Sequence, residues 1–119
     1  MIEVVKHPNY SKEEFMYLMI IAYYPNDKAD EVIKKYLETM EKFPNDESIG
    51  KEILSASGRG TKDGVEVFTI LDIKKGKMDE AILRATKLMH EFRSIQGYRY
   101  EFKTLANTEE ALEIYGFGS

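Results

Sequence analysis

Ten residues, Phe15 to Tyr24 (FMYLMIIAYY), run without a charge and stop at Pro25. A strand with one wet face alternates apolar and polar side chains, whereas this run is apolar on both faces. It therefore asks for a central place in a sheet and for a cover on each side. Its Ile, Tyr and Phe content and the Pro25-Asn26-Asp27 punctuation read as a strand. Ten residues fall short of the roughly 20 that a spanning helix needs. The flanks, with Glu3, Glu13 and Glu14 before and Asn26-Asp27 after, lack the basic start and small-residue cleavage site of a signal peptide.

The rest of the chain supplies partners for that strand. Ala29, Val32, Ile33, Tyr36, Leu37, Met40 and Phe43 follow helical spacing and predict a helix over Asp27–Phe43, stopped by Pro44. A weaker strand is expected over Lys51–Gly58. The stretch GRGTKDG, Gly58–Gly64, reads as a loop with a turn at Asp63-Gly64. VEVFTILDI, Val65–Ile73, is a second apolar strand. A second helix is expected over Met78–Ile95, ended by Gly97, and Tyr98–Leu105 alternates as a strand with one buried face. Asn107 and Glu110 have capping-box spacing and open a short C-terminal helix that Gly116 closes. The first 14 residues show no sustained period and read as an N-terminal arm, leaving 15–119 as one domain.

The order strand, helix, strand, strand, helix, strand leaves few arrangements once crossovers are right-handed. The expected fold class is α+β: a ferredoxin-like βαββαβ plait, its four-stranded antiparallel sheet ordered 4-1-3-2, with both helices on one face. The two most apolar strands then lie side by side at the centre. Met16, Leu18, Ile20 and Ala22 are assigned to the helices. Phe15, Tyr17, Met19, Ile21 and Tyr23 are left on the open face beside Phe68 and Ile70. An apolar face of that size exceeds what soluble monomers usually expose, so a second copy, a ligand or nucleic-acid bases should cover it.

Over about Phe15 to Gly116 the chain resembles the dimeric α/β-barrel superfamily of ferredoxin-like proteins. The likeness lies in MYLMIIAYYP, the helix from Asp27, VEVFTILDI, the Met78–Ile95 helix and the ending YRYEFKTLANTEEALEIYG. The resemblance implies a homodimer in which two sheets pack face to face. It also points to the monooxygenase-like and isomerase-like members and the many small proteins of unknown role in that superfamily. The haem-degrading branch carries an early-strand Asn, a Trp and a helix His. This chain has no tryptophan and no Asn in its first strand, and no cofactor is expected.

The candidate site residues follow from the open face. Tyr17, Tyr23, Phe68 and Arg99 are the expected ligand-binding residues, since tyrosine offers an apolar body with a polar tip. Met19, Ile21 and Ile70 are the expected dimer interface. Glu66 would serve as a general base if burial raised its pKa, and Tyr17, expected to point into the barrel with it, is a second catalytic candidate; alternatively Glu66 pairs with a nearby Arg or Lys. His90 is a third catalytic candidate, although it lies opposite the apolar stripe of its helix with Leu83 and Lys87. Two distant histidines and no cysteine argue against a metal site, and GRGTKDG leads into a strand rather than a phosphate-holding helix.

These features point to a cytoplasmic homodimer that binds or transforms a small apolar or aromatic molecule, in the barrel or between sheet and helices. The alternatives are a non-catalytic dimeric interaction or regulatory protein, and an RRM-like RNA-binding module. Against the last stand a net charge of −4 and Glu66 on the face where bases would stack.

Overall fold

The structure, a computed structural model, describes residues 16–106 together with Leu112 and Gly116. Phe15, the expected arm and all of the expected short C-terminal helix except Leu112 lie outside the described residues. The elements are β1 (Met16–Tyr24), a 3-10 turn (Asn26–Lys28), α1 (Ala29–Lys42), β2 (Gly50–Thr61), β3 (Gly64–Ile73), α2 (Met78–His90) and β4 (Arg99–Leu105). The four strands form one antiparallel sheet ordered β2-β3-β1-β4, consistent with a ferredoxin-like plait. The most apolar strands, β1 and β3, are the central pair, as a strand apolar on both faces requires.

Register assigns the faces, because directly opposed residues in an antiparallel pair share a side. Leu18 opposes Leu71, Ile20 opposes Thr69 and Phe102, and Ala22 opposes Val67 and Tyr100. This is the helix side. Leu18, Ile20 and Ile73 join Val32 of α1, Ala81, Ala85 and Met89 of α2, and Phe92 and Ile95 in one buried cluster.

Three local features depart from the expected elements. The hairpin turn is only Lys62–Asp63, so most of GRGTKDG is strand. Thr61 staples it: its hydroxyl donates to the Gly64 carbonyl at 2.8 Å and accepts from the Asp63 amide at 3.1 Å. Gly64 sits at φ +136°, where a Cβ would come within 2.5 Å of the Tyr24 carbonyl oxygen. The α-helical part of α2 stops at His90, and the chain continues in tighter turns, with amide-to-carbonyl bonds from Phe92 to Met89 and from Ile95 to Phe92. Those turns keep Phe92 and Ile95 in the core at 2% exposure each. Finally, β2 carries two irregularities, between Glu52 and Leu54 and between Leu54 and Ser57.

Helix α1 is rolled away from the centre of its apolar stripe. At about 100° per residue, Val32, Thr39 and Phe43 share one line, while Ile33 and Leu37 lie roughly 100–140° round from Val32. Val32 and Thr39 are buried, whereas Ile33 and Leu37 are 54% and 61% exposed. The Thr39 hydroxyl has no hydrogen-bond partner among the described residues. An unmade buried hydrogen bond costs about 1–3 kcal/mol. Thr39→Val should therefore raise stability by about 1 kcal/mol, read as a higher urea midpoint with an unchanged slope.

Candidate functional site

The roll of α1 opens a groove of about 300 Å³ between that helix and the sheet. Its cause is legible in β2. The β2 residues whose register places them on the helix side are Gly50, Glu52, Gly58 and Gly60, so no large apolar side chain rises from this strand toward α1. Of these, Gly50 and Glu52 line the groove, and Gly50 lies so close to β3 that a Cβ there would meet the Asp72 carbonyl oxygen and the Ile73 side chain. Ala22, Ala56, Ala81 and Ala85 also line the groove with short side chains. Val67, Thr69 and Leu71 of β3 form its floor and stay half-buried.

The polar groups divide by depth. The charged lining residues Asp46, Glu47, Lys51, Glu52 and Arg84 cluster where the segment after α1 meets β2. There they largely answer one another or the backbone. Arg84 donates to the Pro44 carbonyl, Asn45 donates to Glu52 at 3.5 Å, and the Asp46 carboxylate accepts from the Ser48 amide and hydroxyl. Those two Ser48 bonds hold the Asp46 carboxyl below its ordinary pKa. Away from that rim the polar lining is neutral, comprising the hydroxyls of Tyr24, Tyr36, Tyr98 and Thr69.

Burial pushes the Tyr98 and Tyr24 hydroxyls above the usual tyrosine pKa, and for Tyr98 the nearby Tyr24 adds to it. Tyr98 donates to the Met89 sulfur at 3.8 Å. The folded chain keeps this proton more tightly than an unfolded chain, whose tyrosines titrate near 10. Above about pH 10 folding therefore carries an extra proton, and stability falls as pH rises. Thermal midpoints between pH 9 and 11.5 should fall more steeply for the wild type than for Tyr98→Phe.

The opposite face of the sheet carries most of the residues singled out from sequence. Its rows, read from β2 to β4, are Arg59, Glu66, Tyr23, Arg99; then Ser57, Phe68, Ile21, Glu101; then Leu54, Ile70, Met19, Lys103; then Lys51, Asp72, Tyr17, Leu105. Phe68, Ile21, Ile70 and Met19 form an apolar block with charges around it. Glu66 pairs with Arg59 at 3.0 Å. The Arg99 guanidinium lies 5.4 Å from the centre of the Tyr23 ring, and the Tyr23 hydroxyl donates to Glu101 at 3.5 Å. Desolvation first, and then the carboxylates of Glu101 and Glu66, raise the Tyr23 pKa.

Tyr17, Tyr23, Phe68 and Arg99 thus share one face with Glu66, Met19, Ile21 and Ile70. His90 is not with them; it is exposed at the C-terminal end of α2 and does not line the groove. The groove residues were missed as a site, because periodicity marks Ile33, Tyr36 and Met40 as core positions and cannot show that β2 brings no large apolar side chain to that side of the sheet. Among the described residues no three His, Cys, Asp or Glu side chains group as metal ligands would, and no helix is long and apolar enough to cross a membrane.

No protein-family model matches the chain. No curated protein matches it. Among solved structures, the de novo designed protein Foldit4 is similar at a TM-score of 0.50 and 15% identity, over 77% of this chain and 96% of that one. A formyltetrahydrofolate deformylase from Pseudomonas putida KT2440 is similar at a TM-score of 0.37 and 8% identity, over 74% of this chain and 28% of the enzyme. The likeness to the designed protein concerns fold alone, and nothing about activity passes from either.

Proposed function

We propose that the chain works as a pair of copies joined through their open sheet faces into a barrel, each copy holding a small apolar molecule in the groove between α1 and the sheet. The observation that carries the ligand reading is the groove itself. It is an apolar space lined by Ile33 of α1, which is left uncovered although burying it would gain about 1.5–3 kcal/mol. A pocket of this volume is at the small end of ligand sites. The half-buried Tyr24 and Tyr98 hydroxyls are held neutral, which suits them to orient a ligand rather than to give up a proton.

The pairing is supported by the face on the other side. An apolar block rimmed by charge has the anatomy of an interface. Four rows on four strands cover roughly 500 Å² per copy, so a face-to-face pair would bury about 1,000 Å² in total, near the lower bound for a specific interface. Light scattering at micromolar concentration should give twice the chain mass, and native mass spectrometry should show any retained small molecule. A strictly monomeric chain would sink the pairing.

A further inference from the structure

We infer, building on the groove reading above, that the occupant is a neutral planar aromatic molecule of about two fused rings. Size sets the first limit. A cavity of about 150 Å³ accepts benzene, so the 300 Å³ here suits roughly twice that body.

Shape sets the second. Phe92 and Tyr98 stack at 4.7 Å and 14°, and Tyr98 and Tyr24 lie 6.3 Å apart at 5°, so three near-parallel rings build one wall. Tyr36 of α1 and Phe43, just past its end, bring two more rings. Aromatic pairs gain beyond their buried area when rings meet offset or edge to face. A flat plate uses such walls, whereas a flexible chain gains only area and loses rotamer freedom. The short Ala22 and Ala56 side chains on the sheet side leave a floor that a plate can approach.

Charge sets the third. Acidic residues outnumber cationic ones at the mouth, Asp46, Glu47 and Glu52 against Arg84, whose guanidinium is engaged by Pro44, while the register puts the Lys51 side chain on the open face. The deeper polar groups are neutral hydroxyls. An anionic ligand would find no net positive partner, while a hydroxyl or carbonyl on the ring edge finds Tyr36 or Thr69.

The test uses 2-naphthol as the probe, with 1-octanol as an aliphatic alcohol of similar bulk and naphthalene-2-sulfonate as the anionic analogue. The chain has no tryptophan, so naphthol emission is read without that background. Naphthol should bind one site per chain, more tightly than octanol or the sulfonate. Tyr36→Leu should weaken naphthol about three- to tenfold and leave octanol, read by calorimetry, unchanged. Thr69→Phe, which fills the floor, should abolish both. Octanol binding as tightly as naphthol, the sulfonate doing so, or Tyr36→Leu weakening both alcohols alike would overturn the aromatic inference while leaving the groove reading in place. Binding of none of the three probes would overturn both.

Discussion

Met19→Glu is expected to keep the fold and dissociate the proposed pair. Met19 lies on the open face between Ile70 and Lys103 in register and is half-buried within one chain. In a single copy the new carboxylate can reach water and the Lys103 ammonium directly opposite. Between two sheets it would be buried against apolar side chains, which costs several kcal/mol. Association should weaken at least about a hundredfold, or ~3 kcal/mol. Lys35→Asp on the outer face of α1, where Lys35 pairs with Glu38 at 3.4 Å, is the control and should leave the mass unchanged. Ile21 would be a poorer probe. It is only 5% exposed within one chain, so an acid there would strain the fold itself. If Met19→Glu scatters as the wild type does, the open face is not the interface.

Phe92→Ala should be the most damaging single truncation in the core. Phe92 is 2% exposed, belongs to the cluster that joins both helices to the sheet, and stacks on Tyr98 at 4.7 Å. Large-to-small changes of this kind cost about 3–5 kcal/mol. A domain of this size has only about 5–15 kcal/mol of stability in total. The thermal midpoint should fall by roughly 10–20 °C. Leu83→Ala, at a position on α2 that is 57% exposed, should shift it by no more than a few degrees. A Phe92→Ala midpoint within a few degrees of the wild type would mean that Phe92 is not part of a tightly packed core. The residue also shows how the end of α2 is held. The helical hydrogen bonding gives way at His90, yet the tightened turns still deliver Phe92 and Ile95 to the core.

Much of this is legible in the sequence. The alternation within β1 separates Leu18, Ile20 and Ala22 from Tyr17, Met19, Ile21 and Tyr23, and the register places these two sets on opposite sides. A period of two leaves only that choice once one face is buried. The apolar composition of β1 and β3 anticipates the central pair. The sequence is less informative where backbone rather than side chain decides. GRGTKDG has the composition of a loop, but a two-residue turn stapled by Thr61 suffices, and the flanking glycines continue the ladder.

Sequence alone therefore determined the four strands and two helices, their order and the two faces of the central strand, because those depend on spacing along one chain and on the cost of leaving apolar surface wet. Tertiary structure decided where that surface stays uncovered. Two irregularities in β2 set which of its residues lie on the helix side of the sheet, and they turn out to be Gly50, Glu52, Gly58 and Gly60. With no large apolar side chain there, α1 settles with Val32 and Thr39 inward and leaves Ile33 over a groove and Leu37 exposed. A helix stripe is written locally. Whether it is filled depends on the residues that strand register brings opposite it, and β-bulges shift that register by single residues that composition does not reveal.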